Sequence, residues 1–443
     1  MKKNPILFFR LILWITIFMN CTLFAQSPSP ALVGYWHNWN TTEAPYIQLN
    51  NIDTSYNVVI ISFALPTSYT DMTMTFVPEQ VTQSTFISQI QQLQSQGKKV
   101  LISIGGSTGV INLADNTQQL NFINSMNTLI NTYGFDGIDI DIEHGDGILA
   151  AGTISSPTAP GIINLIQAIQ SIMTTFQQTH GHKLFLTMAP ETAYVQGGMS
   201  AFGSIWGGYL PLIHALRNEI DIISVQLYNS GTIYGIDGNI YTQGTADFIV
   251  ALTEATIQGF NTTGGFFIGL PASKVAVGLP ACNSAAGGGY TDTVTVAAAI
   301  RYLKGEGPQP GTYTLTQTAG YPDLRGMMTW SINWDAAANC GGVYTFAQNF
   351  NNLFHPTIPD AIIDYSKQVN LTLFPNPTSE FFIINGLTLH SAPLSVEIFD
   401  SNGKLVLQKR VPNNERVDIK ELNNGIYLVR VDQKHNLKLL VQH

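Results

Sequence analysis

Eight short, β-rich apolar runs recur along most of the chain, and stretches of helical period separate them. The runs fall at residues 31–36, 58–65, 100–104, 137–142, 184–188, 220–227, 275–279 and 326–332. One intervening stretch carries Phe122, Ile123, Met126, Leu129, Ile130 and Tyr133; another carries Ile162, Leu165, Ile166, Ile169, Ile172, Met173 and Phe176. These spacings gather the apolar groups on one helical face that can pack on a sheet. The runs themselves are nearly continuous in apolar character, as parallel strands covered on both faces require. Eight strand–helix units predict a (β/α)8 TIM barrel, with a doubly wound open sheet as the alternative.

The pattern stops near Phe354. His355-Pro356-Thr357-Ile358-Pro359 reads as a linker, and no helical period follows Leu371. Alternating runs at 395–399, 405–408 and 426–431 are separated by Ser401-Asn402-Gly403 and Asn423-Asn424-Gly425, which suit tight turns. The expected second unit is a small all-β, sandwich-like domain. At the other end, Lys2 and Lys3 precede an apolar stretch at 6–18 broken by Arg10 and Thr16, and Leu23-Phe24-Ala25 offers a small residue for cleavage. That is the layout of a signal peptide rather than a retained anchor. The expected division is therefore signal peptide 1–25, barrel 26–354, linker 355–370 and all-β domain 371–443.

Charged residues make up only 11% of the 443, against roughly 25% in average soluble proteins. The net charge of −9 excludes a phosphate-tracking, nucleic-acid-binding surface. No stable membrane insertion is expected beyond the leader. With Cys21 removed in the leader, Cys282 and Cys340 remain, either as one disulfide or as two buried thiols.

The chemistry concentrates in Gly134-Phe135-Asp136-Gly137-Ile138-Asp139-Ile140-Asp141-Ile142-Glu143. Side chains alternate across a strand, so Asp139, Asp141 and Glu143 share one side and the isoleucines take the other. In a barrel, those acids climb the interior towards the C-terminal mouth. Three neighbouring carboxylates raise one another's proton affinity, a poor arrangement for a core and a good one for a proton donor. A calcium loop would need glycine at the sixth position from Asp139, where His144 stands. His144 also lacks a partner at metal-ligand spacing, so neither a metal nor another cofactor is expected. Asp136 has the opposite parity and reads as structural.

The run from Asp136 to Glu143 resembles the signature of glycoside hydrolase family 18, the chitinases and related endo-N-acetylglucosaminidases. Ser103-Ile-Gly105-Gly106 is similar to that family's second signature. Met188-Ala-Pro-Glu191 ends the fifth run, Gln226-Leu-Tyr228-Asn229 the sixth, and Trp330 lies on the eighth. The resemblance implies a retaining mechanism in which the substrate's own acetamido group attacks. It makes Glu143 the general acid/base, with Asp141 orienting the acetamido group, Asp139 sharing a proton below and Tyr228 donating to the acetamido oxygen. It puts Trp330 under the sugar, with Met188, Gln226 and Asn229 in the site wall. Tyr35, Trp36 and Trp39, at the end of the first run, are candidates for stacking on sugars. Gly105 and Gly106 are expected to allow close backbone approach, and Glu191 is assigned no chemistry.

The implied substrate is chitin or N-acetylglucosamine oligosaccharides. The alternatives are an endo-β-N-acetylglucosaminidase acting on N-glycans and a non-catalytic chitin-binding lectin. In the last domain, Leu373-Phe374-Pro375-Asn376-Pro377, Ile398-Phe399-Asp400-Ser401-Asn402-Gly403-Lys404 and Leu422-Asn423-Asn424-Gly425-Ile426-Tyr427 resemble the sorting domain of the type IX secretion system. That resemblance implies secretion machinery as a partner, and an extracellular or cell-surface location in a Gram-negative bacterium.

Overall fold

The computed structural model describes residues 27–143, 147–355, 371–385, 394–412, 415–431 and 435–443. The expected signal peptide, and all of the expected linker except His355, lie outside them. The chain divides into two compact units, Met1–Pro356 and Thr357–His443.

The first unit is built on eight parallel strands: β1 (Ala31–His37), β2 (Val58–Pro66), β3 (Lys99–Gly105), β4 (Gly137–Asp141), β5 (Phe185–Met188), β6 (Ile222–Ile223), β7 (Ala276–Pro280) and β8 (Gly326–Trp330). Their order is β7-β8-β1-β2-β3-β4-β5-β6. Parallel bridges from Ile223 to Val275 and from Gln226 to Gly278 close the ring. This is the TIM barrel expected from the eight runs.

Two strands are shorter than their apolar runs by more than one residue. The sixth run is regular only at Ile222–Ile223, although Ser224 still donates to the Met188 carbonyl and Gln226 to that of Pro190. The next donor in that ladder would be the N–H of Pro190, which has none. The eighth run ends at Trp330 because Ser331 caps a short helix, its side chain accepting from the Trp334 N–H.

Helices α1 (Gln83–Ser95), α2 (Asn116–Tyr133), α3 (Pro160–His180), α4 (Leu210–Leu216), α5 (Ala246–Gln258), α6 (Thr293–Lys304), α7 (Ile332–Ala336) and α8 (Thr345–Phe354) accompany the strands. The start of α2 shows how local chemistry sets a boundary. Asp115 accepts from the Gln118 N–H while the Gln118 side chain reaches back to the cap backbone, satisfying two donors that the helix leaves orphaned.

Strand parity splits the core into two layers. Val33, Tyr35, Ile60, Leu101, Phe185 and Met328 fill the barrel. Trp36, Ile61, Ile102, Ile138, Ile140 and Met188 face the helices and pack with Phe86, Phe122 and Ile169. Burying this outer layer, at about 25 cal/mol per Å² of apolar area, fixes the register that sends Asp139 and Asp141 inward.

The second unit is antiparallel throughout its named strands. One sheet orders Leu405–Val411, Leu394–Phe399, Gly425–Val431 and His435–Val441; the other orders Thr372–Phe374, Phe381–Asn385 and Val417–Asp418. Phe382, Val396, Ile398, Val417, Val429 and Leu439 form one apolar cluster. The Ser401-Asn402-Gly403 turn is fastened by Asp400, whose carboxylate accepts from the N–H groups of Asn402 and Lys404 at 2.9 Å each. Among the described residues, no helix is long and apolar enough to cross a membrane.

Candidate active site

Burial grades the acids of β4 from its middle to the barrel mouth. Asp139 is 0% exposed and Asp141 2%, whereas Glu143, just past the strand end, is partly exposed.

Asp139 sits in a ring of hydroxyl donors. Tyr35 and Ser103 donate to Oδ2 at 2.7 Å each, and Thr187 donates to Oδ1 at 2.6 Å. Ser103 and Thr187 are its register partners on β3 and β5. Burial raises the pKa of Asp139, and the three hydroxyls oppose that shift. Asp141 is raised well above the usual carboxylate range, first by burial and then by the charges of Glu143, Asp139 and Glu191. The Gln226 amide opposes this, donating to Asp141 Oδ1 at 2.9 Å, to Glu143 Oε1 at 3.2 Å and to the Ala189 carbonyl at 2.9 Å. One amide nitrogen thus bridges the upper two acids.

Two tyrosines from the segment between β5 and α4 hold the backbone beneath Glu143. Tyr194 donates to the Glu143 carbonyl at 2.5 Å, and the Tyr209 hydroxyl accepts from the Ile142 N–H at 2.7 Å. On the other side, Gly106 donates to the Asp141 carbonyl at 2.6 Å. A Cβ on Gly105 would stand 2.3 Å from that carbonyl oxygen, and one on Gly106 would stand 2.6 Å from the Phe63 ring. With φ at +109° and +70°, these two positions suit glycine on both counts.

Above the acids lies a cavity of about 170 Å³ lined by Glu143, Tyr228, Gln226, Asn229, Trp330, Phe63, Ser107, Glu191 and Ala285. The pKa of Tyr228 is raised well above its usual value, by burial and then by Asp141, Glu143 and Glu191, so its hydroxyl keeps its proton. Trp330 stacks on Phe63 with centroids 5.9 Å apart and planes 13° from parallel. His37 and Trp39 extend this aromatic bank, stacked at 4.5 Å. Burial lowers the His37 pKa to about 3, so the ring is neutral there.

The structure therefore brings Glu143, Tyr228, Gln226, Asn229 and Trp330 to one cavity, over Asp141 and Asp139. It does not bring Met188 there. With Thr187 turned inward to Asp139, parity turns Met188 outward into the layer between strands and helices, where it is 1% exposed. Tyr35 is also corrected: at 1% exposed and bonded to Asp139, it supports an acid from below and does not line the cavity. Trp36 points to the helices, its Nε1 donating to the Ile47 carbonyl at 2.8 Å. The Asn229 side chain is engaged by Gly288, whose N–H donates to its Oδ1 at 3.1 Å.

Sequence reasoning missed Thr187, Tyr194, Tyr209 and Phe63. Parity two residues before Ala189 could have found Thr187; the tyrosines, in irregular segments, carry no periodic signal. Asp136 holds the strand entrance, accepting from the Val100 N–H at 2.9 Å and pairing with Lys99 at 3.3 Å. Cys282 and Cys340 form a disulfide. Among the described residues, no group of three His, Cys, Asp or Glu side chains could hold a metal ion.

Residues 31–353 match the family described as Glycosyl hydrolases family 18. The chain belongs to glycoside hydrolase family 18. Its family 18 barrel is 47% identical over 324 residues to Chitinase Chi52 of Paenibacillus xylanexedens, covering 71% of this chain and 61% of that protein. Chitinase ChiA of Flavobacterium johnsoniae is 35% identical over 416 residues, 89% of this chain and 26% of its own length. The chain thus spans 61% or less of the length of these curated relatives. Among solved structures, a family 18 chitinase from Chromobacterium violaceum matches with a TM-score of 0.66 and 36% identity, covering 73% of this chain and 83% of that one. Residues 372–442 match the Secretion system C-terminal sorting domain, so the second unit is a type IX sorting domain.

Proposed function

We propose that this family 18 protein is a chitinase that hydrolyses β-1,4-linked N-acetylglucosamine with retention, through attack by the substrate's acetamido group. The observation that carries the reading is the graded stack of three acids, of which Glu143 alone lines the cavity that Tyr228, Gln226 and Trp330 also line.

Trp330, stacked on Phe63, offers a flat apolar floor for the sugar whose bond is cut. Glu143 gives its proton to the glycosidic oxygen as the bond to the anomeric carbon breaks. The acetamido oxygen closes on that carbon from the opposite face and forms an oxazolinium ring. Asp141 takes the acetamido N–H in a hydrogen bond and balances the positive charge that develops on the ring. The Tyr228 hydroxyl donates to the acetamido group and holds its oxygen in line. Glu143, now a carboxylate, takes a proton from the water that opens the ring, which regenerates the acid. Asp139, fixed by three hydroxyls, is the site to which the proton shared with Asp141 can retreat.

The same reading takes the leader at 1–25 as a signal peptide and the domain at 371–443 as an export address. Its partner is the secretion machinery, and the catalytic unit works outside the cell or at the surface of a Gram-negative bacterium. Incubating the purified protein with N-acetylglucosamine oligomers and, separately, with a high-mannose glycoprotein tests the substrate class. Shortening of the oligomers with the glycoprotein left intact is expected. Release of the glycan with intact oligomers would transfer the reaction to N-glycans, and action on neither would leave a lectin.

A further inference from the structure

A covalent bond that no step of this reaction uses lies beside the Glu143 cavity. Cys282 follows the end of β7, Cys340 lies between α7 and α8, and their Cα atoms are 5.3 Å apart in the disulfide. Both residues are buried in a small cluster with Ala285 and Ala337, and Trp330 and Trp334 pack against it. Ala285 and Trp330 both line the cavity.

The polypeptide on each side of this bond has little order of its own. Cys282 opens onto one short 3-10 turn, Asn283–Ala285, and then Gly287, Gly288 and Gly289; Cys340 is followed by Gly341 and Gly342. Runs of glycine lose more freedom on ordering than other residues, so such segments are held by cross-links rather than by backbone preference. Two polar links help: Ala281 donates to the Trp330 carbonyl at 2.9 Å, and Asn229 and Gly288 exchange hydrogen bonds of 3.0 and 3.1 Å. The four buried residues of the cluster lie outside the inner barrel core, whose members other than Ala189 come from the strands, and Trp330 packs against both.

We propose that the Cys282–Cys340 disulfide is a positioning element of the sugar-binding cavity, holding Ala285 against Trp330, and that its reduction opens the cavity while the barrel stays folded. In that step a dithiol reductant gives up two electrons and two protons and closes its own disulfide; Cys282 and Cys340 become two thiols. The cavity then forms only where the protein meets an oxidising environment, which an exported chain does and a cytosolic one does not. The proposal rests on the chitinase reading, because the cavity it shapes is the one that would hold the sugar.

The test compares the oxidised protein with a Cys282→Ser, Cys340→Ser double variant on N-acetylglucosamine oligomers at 25 °C, with far-UV circular dichroism and a thermal melt in parallel. A cooperative melt with KM raised at least tenfold and kcat changed less is expected, a split that general destabilisation does not give. A folded variant with KM within twofold of the oxidised protein would overturn the proposal. If the variant does not melt cooperatively, the wild-type protein is reduced with a dithiol while thiol release, dichroism and activity are followed together. Activity lost with thiol release ahead of any dichroism change supports the proposal; activity lost only as the dichroism collapses refutes it. If the oxidised protein cleaves no oligomer, the chitinase reading fails by itself. Hydrogen exchange at 281–290 and 328–334 then decides, with at least tenfold faster exchange on reduction expected and unchanged exchange counting against the proposal.

Discussion

The two units of this chain bury different kinds of atoms. The barrel hides Asp139, Asp141, Gln226, Glu254 and Asp335 at 5% exposure or less, while the buried polar side chains of the sorting domain reduce, among the described residues, to Thr378. Asp335 accepts from Tyr56 at 2.7 Å and from the Phe346 and Ala347 N–H groups, and Glu254 from Tyr313 and Tyr321, so these two fasten loops and helix ends. Asp139 and Asp141 are different in kind, since they crowd like charges that burial already penalises. The sorting domain buries apolar groups such as Phe382 and Val396, whereas the barrel carries the electrostatic cost of the acids beneath its cavity.

The largest effect that sharpens this contrast is expected at Glu143. Glu143→Gln keeps the shape and the Gln226 contact but has no proton to give. We expect kcat to fall by at least about 10³-fold, within the range of general acid–base contributions, with oligomer affinity within a few-fold of wild type. Steady-state kinetics and calorimetric binding check this; an undiminished kcat would break the assignment. Next is Phe382→Ala in the sorting domain, a buried aromatic truncation worth about 3–5 kcal/mol. Protease resistance of residues 372–442 and export should fall, while hydrolysis of soluble oligomers by the purified protein should not. Lost hydrolysis would mean that the two units do not divide the work as argued.

The smallest effect concerns stability. The carboxyl of Asp141 titrates higher in the folded protein than in the unfolded chain, so the folded state holds its proton over a window opening near pH 4. Across that window, stability falls as pH rises. Asparagine does not titrate, so Asp141→Asn should melt with wild type at pH 3 and above it at pH 7. The gain should appear as a small upward shift of the melt at pH 7 relative to wild type, while activity drops. Thermal melts across pH check the sign; a variant less stable at pH 7 than at pH 3, relative to wild type, would contradict it.

The barrel was legible because its burial is periodic. Ile138, Ile140 and Ile142 against Asp139, Asp141 and Glu143 is a two-residue alternation that a sequence displays directly. The same rule applied strictly would have corrected Met188 and Trp36, whose neighbours Thr187 and Tyr35 take the inward positions. Residues reaching the site from irregular segments were not legible. Tyr194 and Tyr209 contact the end of β4 across 51 and 67 residues of sequence, and no local pattern marks such pairings. Cysteine counting admitted the disulfide of Cys282 and Cys340 without deciding it, because pairing depends on how two loops approach over the barrel mouth. Pro190 is an intermediate case: the proline was visible, but the sixth run was read as continuous over 220–227 and the shortening was not drawn from it.

Attack by the substrate's own amide, followed by water opening the ring, inverts the anomeric carbon twice, so the configuration of the first sugar released reports on it. Proton NMR during the first minutes of oligomer cleavage, before mutarotation blurs the signal, should show the β-anomer accumulating first. An α-anomer appearing first would mean that water attacks in a single inverting step, and the roles given to Asp141 and Tyr228 would fall with it.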